Sequence, residues 1–270
     1  MKRAGKVLYI SVMLAFLYLP IVLLAVYSFT DSTTIGAIRH LSLQNYVTLF
    51  TEQELLKMIV GTMLLAISSS VIATILGTMG AVGGYYSKHM STVVLGAMNQ
   101  IPVVNADVVT GFSVCILLIV VMGIDKNTYL PLLIGHVVLS APFVYLSVVP
   151  KLKQMDPSLY EAAMDLGASS GMALRKAVLP QIFPGILSGF ALAVTLSLDD
   201  YFIATYTKPA TFDTISTYVV NATKGAQTEI KTALWALSTI IFVAVVGVVV
   251  LTNTIGTKEK EGGRAVNEEN

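Results

Sequence analysis

Long apolar runs dominate this chain and dictate its fold class. A spanning helix needs about 20 consecutive apolar residues, because the hydrocarbon core is roughly 30 Å thick and a helix rises 1.5 Å per residue. Runs of that kind occur at 7–29, 58–86, 129–149 and 232–255, with a fifth candidate at 185–206. A further run, 92–123, is interrupted by Asn99, Gln100, Pro102, Asn105 and Asp107. It predicts a short helix, an irregular segment and a helix resuming near Val108, since irregular backbone at membrane depth is tolerated only against protein or water. The expectation is an all-α integral membrane protein with six transmembrane helices. Composition agrees: 55% of residues are hydrophobic and only 12% charged, against roughly 25% charged in a soluble domain. Mean hydropathy is +0.76. The first run follows Lys2, Arg3 and Lys6, but it is too long for a signal peptide and no clear small-residue cleavage site follows, so it reads as a retained span. Near the end of the second run, Gly80 and Gly84 form a small-xxx-small pair that permits close helix packing.

The polar interruption 150–184 lies between two of these runs and is too charged to lie in lipid. Asp156-Pro157 predicts a helix start, a capping carboxylate followed by a proline at the first helical position. Leu159, Ala162, Ala163 and Leu166 then form one apolar stripe. Gly167 suits a left-handed helix end, and Ser169 or Ser170 suits the cap of a second short helix. Leu179-Pro180 reads as that helix's stop. The opposite face of the first helix carries Ser158, Glu161 and Asp165. The last two form an i, i+4 like-charge pair, mildly destabilising in isolation.

Glu161-Ala162-Ala163, three residues, Gly167, nine residues, Ala177, one residue, Leu179-Pro180 resembles the EAA motif of binding-protein-dependent ABC transporter permeases. The family pattern has isoleucine where Ala177 stands. The resemblance implies the type I importer permease fold and a cytoplasmic two-helix coupling loop that seats on a separate ATPase. It assigns ATPase coupling to Glu161, Ala162, Ala163, Asp165, Gly167, Leu179 and Pro180. The stretches 101–111, 156–169 and 197–209 are further similar to polyamine permeases of that family. That likeness implies a spermidine/putrescine importer in a bacterial inner membrane, with an ATPase dimer, a second permease subunit and an extracytoplasmic binding protein as partners.

Charge placement agrees with the resemblance. With the N-terminus inside, the inner segments hold Lys88, Lys151, Lys153, Arg175, Lys176, Lys258, Lys260 and Arg264 besides the N-terminal cluster. The outer segments hold Arg39, Lys57, Lys126, Lys208, Lys224 and Lys231. That bias predicts both termini in the cytoplasm. Residues 1–257 read as one permease domain and 258–270 as a charged, disordered tail.

The substrate pathway is read from Ser197 to Tyr206, SLDDYFIATY. Asp199 and Asp200 fall about 21–23 Å along a helix begun at Gly185, in the outer half of the membrane. An ionised carboxylate there is costly unless water or a cation meets it. Adjacent helical residues point about 100° apart, so only one of the two can face the pathway squarely. Either the pair lines a path for a cation, with Tyr201, Phe202 and Tyr206 offering aromatic faces, or the helix ends early and both aspartates cap it. Asp107 is a second acidic candidate from another span.

Other classes are constrained by what the residues lack. There is no phosphate loop, so the chain is not expected to hydrolyse ATP itself. Histidines 40, 89 and 136 share no ligand spacing and read as ordinary loop or packed residues; Cys115 stands alone. No Ser–His–Asp arrangement suggests hydrolysis, and no metal, cofactor or nucleic acid is expected. Two alternatives stay open: an ABC importer for phosphate, sulfate, ferric iron or thiamine, and an ion-coupled secondary transporter.

Overall fold

Hydrocarbon offers no partner to a free N–H or C=O, so a chain this apolar must close its backbone bonds within helices. A computed structural model describes residues 2–31, 40–87, 89–223, 232–243 and 246. Apart from one isolated bridge between Thr30 and Leu41, regular structure among them is helical. The long helices are α1 (Lys2–Ser28), α3 (Gln53–Tyr85), α6 (Leu130–Gln154) and α9 (Leu179–Asp199), with a short α2 (Gln44–Thr51) before α3. Between α3 and α6 lie α4 (His89–Val104) and α5 (Asp107–Cys115), the latter extended by a π-helical stretch, Ile116–Val121. Short helices α7 (Ser158–Asp165) and α8 (Ser170–Ala173) precede α9, and α10 (Phe202–Thr207) and α11 (Ile215–Thr223) follow it. Last comes α12 (Thr232–Val243).

Among the described residues, four stretches are long and apolar enough to cross a membrane: Gly5–Ser28, Gln53–Tyr85, Leu130–Gln154 and Ser170–Asp199. Val93–Val104 with Asp107–Val121, bent by 105° at the Asn105-Ala106 break, makes a fifth if taken as one broken span. That break falls at the end of the polar stretch expected to interrupt the run, at Asn105, whereas Asn99, Gln100 and Pro102 lie within α4. Among the described residues α12 covers Thr232–Val243, fewer than a full crossing needs. The remainder of the sixth expected run, and the charged tail 258–270, lie outside the described residues apart from Val246.

The chain divides into two units, Met1–Leu56 with Asn221–Asn270, and Lys57–Val220. In the first, α1 is exposed along most of its length, with Phe16 at 79%, as a helix facing lipid must be. Its end is fastened by Asn45, whose Nδ2 donates to the carbonyls of Ser28 (3.1 Å) and Thr30 (3.0 Å). Tyr27 meets Trp235 of α12 edge to face at 5.8 Å.

The second unit is built around α6. Lipid tails are as apolar as leucine, so helices associate through close packing and small residues more than through the hydrophobic effect. Val144, fully buried on α6, is the shared contact. A Cβ on Gly77 of α3 would lie 2.7 Å from the Ala141 carbonyl oxygen and 2.8 Å from Val144 Cβ. On the other side, one at Gly189 of α9 would lie 3.1 Å from Val144 Cα. The closest approach of α3 to α6 therefore falls at Gly77. Gly80 and Gly84, the pair singled out from spacing, leave ordinary van der Waals room of 3.5 Å or more. Spacing marks which residues are small; only the crossing point decides which of them is needed.

The loop departs from expectation in three places. Leu159 and Tyr160 pack against the core cluster of Val148, Leu152, Val178 and Ile182, while Ala162 is exposed and Leu166 is 89% exposed. The buried edge of α7 thus runs through Leu159, Tyr160 and the half-buried Ala163. The expected stripe fails at Leu166 because the helix ends at Asp165, and a residue beyond the last turn no longer follows its period. Second, Leu179-Pro180 does not stop the helix. Ser170 to Asp199 is continuous over 30 residues, joined through a π-helical turn, Leu174–Val178, in which the Leu179 N–H reaches back five residues to Leu174. The widened turn shifts the register just where Pro180 lacks a donor, so the proline sits at the start of α9 without breaking the path.

The expectations at Asp156 and Gly167 stand, while the expected serine cap of α8 is a third departure. Asp156 Oδ1 accepts hydrogen bonds from the Ser158 hydroxyl (2.7 Å) and the Ser158 N–H (2.9 Å), which hold its carboxyl below the usual carboxylate range. Gly167 has φ +86°. Its N–H bonds the Met164 carbonyl and the Ala168 N–H bonds that of Ala163, the paired bonds of a Schellman end. Neither Ser169 nor Ser170 makes a side-chain cap bond to α8.

Two outcomes follow. Gly77→Ala should destabilise the protein by about 1–3 kcal/mol through overpacking, whereas Gly83→Ala, into open space, should not. Thermal unfolding in detergent distinguishes them, and an unshifted Gly77→Ala melt refutes the contact. Gly167→Ala should cost about 1 kcal/mol for its left-handed backbone, read as faster amide exchange at 167 and 168.

Candidate functional site

The acidic end of α9 is where the second unit gathers its polar side chains. A helix start leaves N–H groups without helical partners, and a nearby carboxylate can accept from them. α9 stops at Asp199, and Asp200 turns extended with φ −65° and ψ 124°. Its carboxylate folds forward onto the start of α10. Oδ2 accepts the Ala204 N–H at 2.7 Å and Oδ1 the Ile203 N–H at 3.2 Å. Its backbone carbonyl accepts the Ser216 hydroxyl from α11. Asp200 is accordingly buried, 8% exposed, while Asp199 is exposed. The two adjacent carboxylates point to different environments because the chain leaves the helix at Asp200.

α10 is held by close packing. Ile203 is fully buried, and glycines on two helices make room for it. A Cβ on Gly111 of α5 would lie 3.1 Å from Ile203 Cα, and one on Gly135 of α6 would lie 2.6 Å from Ile203 Cγ2. Cys115 donates to the Tyr206 carbonyl at 3.3 Å, and Tyr206 packs edge to face on Phe112 at 5.7 Å. Tyr201 and Phe202 form another edge contact at 5.3 Å, with Phe202 exposed and Tyr201 half-buried.

Asp107 opens α5 just after the 105° break and is exposed. The structure brings it together with the α9 end: both Asp107 and Asp199 lie within electrostatic reach of Asp200. Neither Asp107 nor Asp199 forms an ion pair among the described residues. The nearby Lys208, beyond α10, is occupied by Asp213 at 2.8 Å.

Sequence reasoning passed over one side chain here. His136 on α6 is fully buried. Its Nδ1 lies 2.8 Å from Ser197 Oγ of α9, which lies 3.2 Å from Ser69 Oγ of α3. Its Nε2 has no hydrogen-bond partner and faces Asp200 Oδ2 at 3.7 Å. Serine, histidine and aspartate therefore do meet, contrary to the expectation from sequence. The arrangement cannot act as a hydrolytic triad. Ser197 Oγ is buried beside Ser69, inside a helix whose own N–H groups are committed to helical bonds, leaving neither substrate access nor an oxyanion site. The signal available in the sequence was a lone imidazole inside an apolar run. Among the described residues no cluster of histidine, cysteine, aspartate or glutamate is placed to hold a metal ion.

The loop residues lie apart from this acidic end. Glu161, Ala162 and Asp165 on α7, Gly167 at its end, and Leu179 and Pro180 at the start of α9 are all exposed, and Ala163 is half-buried. Tyr160 of α7 stacks on Tyr86 at 4.9 Å, and Tyr86 on Tyr85 at 5.1 Å, which ties the loop to the end of α3.

Comparison with known proteins supplies the class. The chain is 30% identical over 251 residues to the spermidine/putrescine transport system permease protein PotC of Haemophilus influenzae, covering 93% of this chain and 95% of that one. It is 31% identical over 237 residues to the putrescine transport system permease protein PotI of Escherichia coli, covering 85% and 83%. Among solved structures, a bacterial ABC transporter involved in import of the acidic polysaccharide alginate shares the fold, with a TM-score of 0.69 over 92% of this chain and 95% of that one at 14% identity. Residues 1–256 match the binding-protein-dependent transport system inner membrane component family, and with helices of this length and apolarity the chain belongs to that family of ABC importer permeases.

Proposed function

We propose that this chain forms one half of the translocation pathway of an ATP-driven importer for polyamines, the class that includes spermidine and putrescine. The observation that carries the reading is the pair of exposed carboxylates, Asp107 and Asp199, at two helix breaks near one point, without a cation of the protein's own among the described residues. At membrane depth such groups are costly unless water or a cation meets them. A polyamine is a flexible chain of ammonium groups, and it brings the missing charge. Tyr201, Phe202 and Tyr206 lie beside the carboxylates and offer ring faces to those ammonium groups. Asp200 belongs to the same site as the cap that holds α10 in place. Similarity to PotC and PotI supports this substrate class, although a binding protein that delivers the solute would share in selecting it.

The rest of the machine is inferred from the exposed loop. α7 presents Glu161 and Asp165 as an unrelieved like-charge pair beside exposed Leu166, a surface suited to a groove with cationic walls on a separate ATPase. Ala162, Ala163 and Gly167 keep that helix slim and sharply ended, and Leu179-Pro180 joins it to α9. ATP-driven closure of an ATPase dimer would draw the loop inward, and the continuous helix Ser170–Asp199 would carry the movement to the acidic end. The reading includes one membrane domain over 1–257 with six spans, both termini in the cytoplasm, and a second permease subunit and an extracytoplasmic binding protein as partners.

Uptake of labelled spermidine and putrescine into proteoliposomes holding the assembled complex, with and without ATP on the ATPase side, tests the proposal. ATP-dependent uptake should appear, and Asp199→Asn or Asp107→Asn should raise the half-saturating concentration about tenfold, the scale of one lost charge-assisted contact. ATP-dependent transport of an anion, with no polyamine uptake, would refute the substrate class. Separately, Glu161→Lys should leave the protein inserted in the membrane yet abolish coupling, with ATP hydrolysis no longer stimulated by binding protein. Normal uptake by that variant would overturn the docking role of α7.

A further inference from the structure

Among the described residues, the largest fully buried polar side chain of the second unit is not a carboxylate but the imidazole of His136. Its ring is 0% exposed and sits where three helices and a helix break converge. On one side Nδ1 meets Ser197 Oγ at 2.8 Å, and Ser197 meets Ser69 Oγ at 3.2 Å, so α6, the last turn of α9 and α3 are joined through side chains. On the other side Nε2 faces Asp200 Oδ2 at 3.7 Å, beyond hydrogen-bond distance, and has no other partner. Burying an imidazole nitrogen without a partner is unfavourable by the scale of a lost hydrogen bond. The cost persists only where the surroundings hold the ring in place, and here Ser197 does so.

The placement matters because of what lies on either side. Ser197 is two residues before Asp199, and Asp200 is three residues after Ser197. A ring anchored to Ser197 and set against Asp200 therefore spans the end of α9. If the end of α9 rotated by one residue, about 100° on a helix, Ser197 would leave the ring and the outward and inward roles of Asp199 and Asp200 would be exchanged. Ser197 carries the buried face of that last turn, with Ala193 one turn before it. Leu196 and Leu198, which flank Ser197, are only half-buried, whereas Ser197 itself is 2% exposed.

We infer that His136 is the positioning residue of the acidic end: through Ser197 it fixes the rotation of the α9 terminus, so that Asp200 stays inward on α10 and Asp199 stays outward. This rests on the reading of Asp199 as a pathway carboxylate for its consequence in transport, but not for its geometry. His136 acts through Ser197 and touches no substrate.

Two measurements separate the inference from the reading beneath it. The first is the half-saturating concentration and maximal rate of spermidine uptake by the assembled complex. His136→Ala should raise the half-saturating concentration about tenfold, the scale of one buried hydrogen bond, with the maximal rate per complex changed less than twofold. His136→Asn, which retains a polar group at the Nδ1 position, should recover most of the loss, while His136→Gln should not. The second needs no substrate. In a Cys115→Ser background, the rate at which a water-soluble methanethiosulfonate modifies Asp199→Cys should fall at least fivefold when His136→Ala is added, and should return with His136→Asn.

A changed modification rate with no polyamine uptake by the wild-type complex would refute the substrate reading and leave the positioning role standing. Normal uptake with neither quantity altered by His136→Ala would overturn the positioning role. So would a loss confined to the amount of assembled complex, with affinity and modification rate unchanged, since that is what a purely structural residue gives. If His136→Ala fails to assemble, Ser197→Ala cuts the same link from the other end and is held to the same two outcomes.

Discussion

A helix start leaves N–H groups with no partner inside the helix, and the two hydrogen bonds accepted by the Asp200 carboxylate satisfy two of them where α9 gives way to α10. Those bonds hold the break between the two helices, with Asp200 buried and Asp199 exposed beside it. The same short helix is fitted against α5 and α6 because Gly111 and Gly135 carry no side chain where Ile203 must sit. The α4–α5 bend brings Asp107 toward the same point. The acidic end is thus a consequence of two interrupted spans stabilised against each other, not of one helix carrying an acidic face.

The polar loop and the acidic end are linked by covalent continuity. The π turn Leu174–Val178 lets α8 run into α9 through Leu179-Pro180, so the helix from Ser170 to Asp199 is one element about 45 Å long. Its buried flank packs on α6 through Gly189 and Val144, and α7 is fastened to the end of α3 by the stack of Tyr160 on Tyr86. A displacement of the loop therefore has two rigid routes into the helical unit. One leads along α9 to the break at Asp199 and Asp200; the other leads into α3, which carries Ser69 of the His136 network.

Much of this was legible in the residues, and the misses have physical causes. Asp156-Pro157 and Gly167 mark the ends of α7 because capping and left-handed backbone are local requirements, met within a few residues. The break at Asn105 and Ala106 was visible because polar residues inside an apolar run are costly against lipid and mark where the backbone must meet protein or water. Leu179-Pro180 misled because a proline reads as a stop when the preceding turn is α-helical, and the π turn depends on how the whole helix packs. Gly80 and Gly84 drew attention through spacing, but the contact falls at Gly77, since a crossing point is a property of two helices. His136 was passed over because its importance depends on Ser69, Ser197 and Asp200, up to 67 residues away in sequence.

By itself, the sequence determined that the chain is helical and built for a membrane, where four long apolar helices lie, and that a punctuated polar loop joins two of them. The periodicity, capping and hydropathy behind these features act over one or two helical turns. Only the tertiary structure decided which aspartate faces outward, which glycine bears the crossing, and that a buried imidazole stands beside the acidic end. Each of those depends on the rotation of one helix against another, and that rotation is set by side chains far apart in the chain.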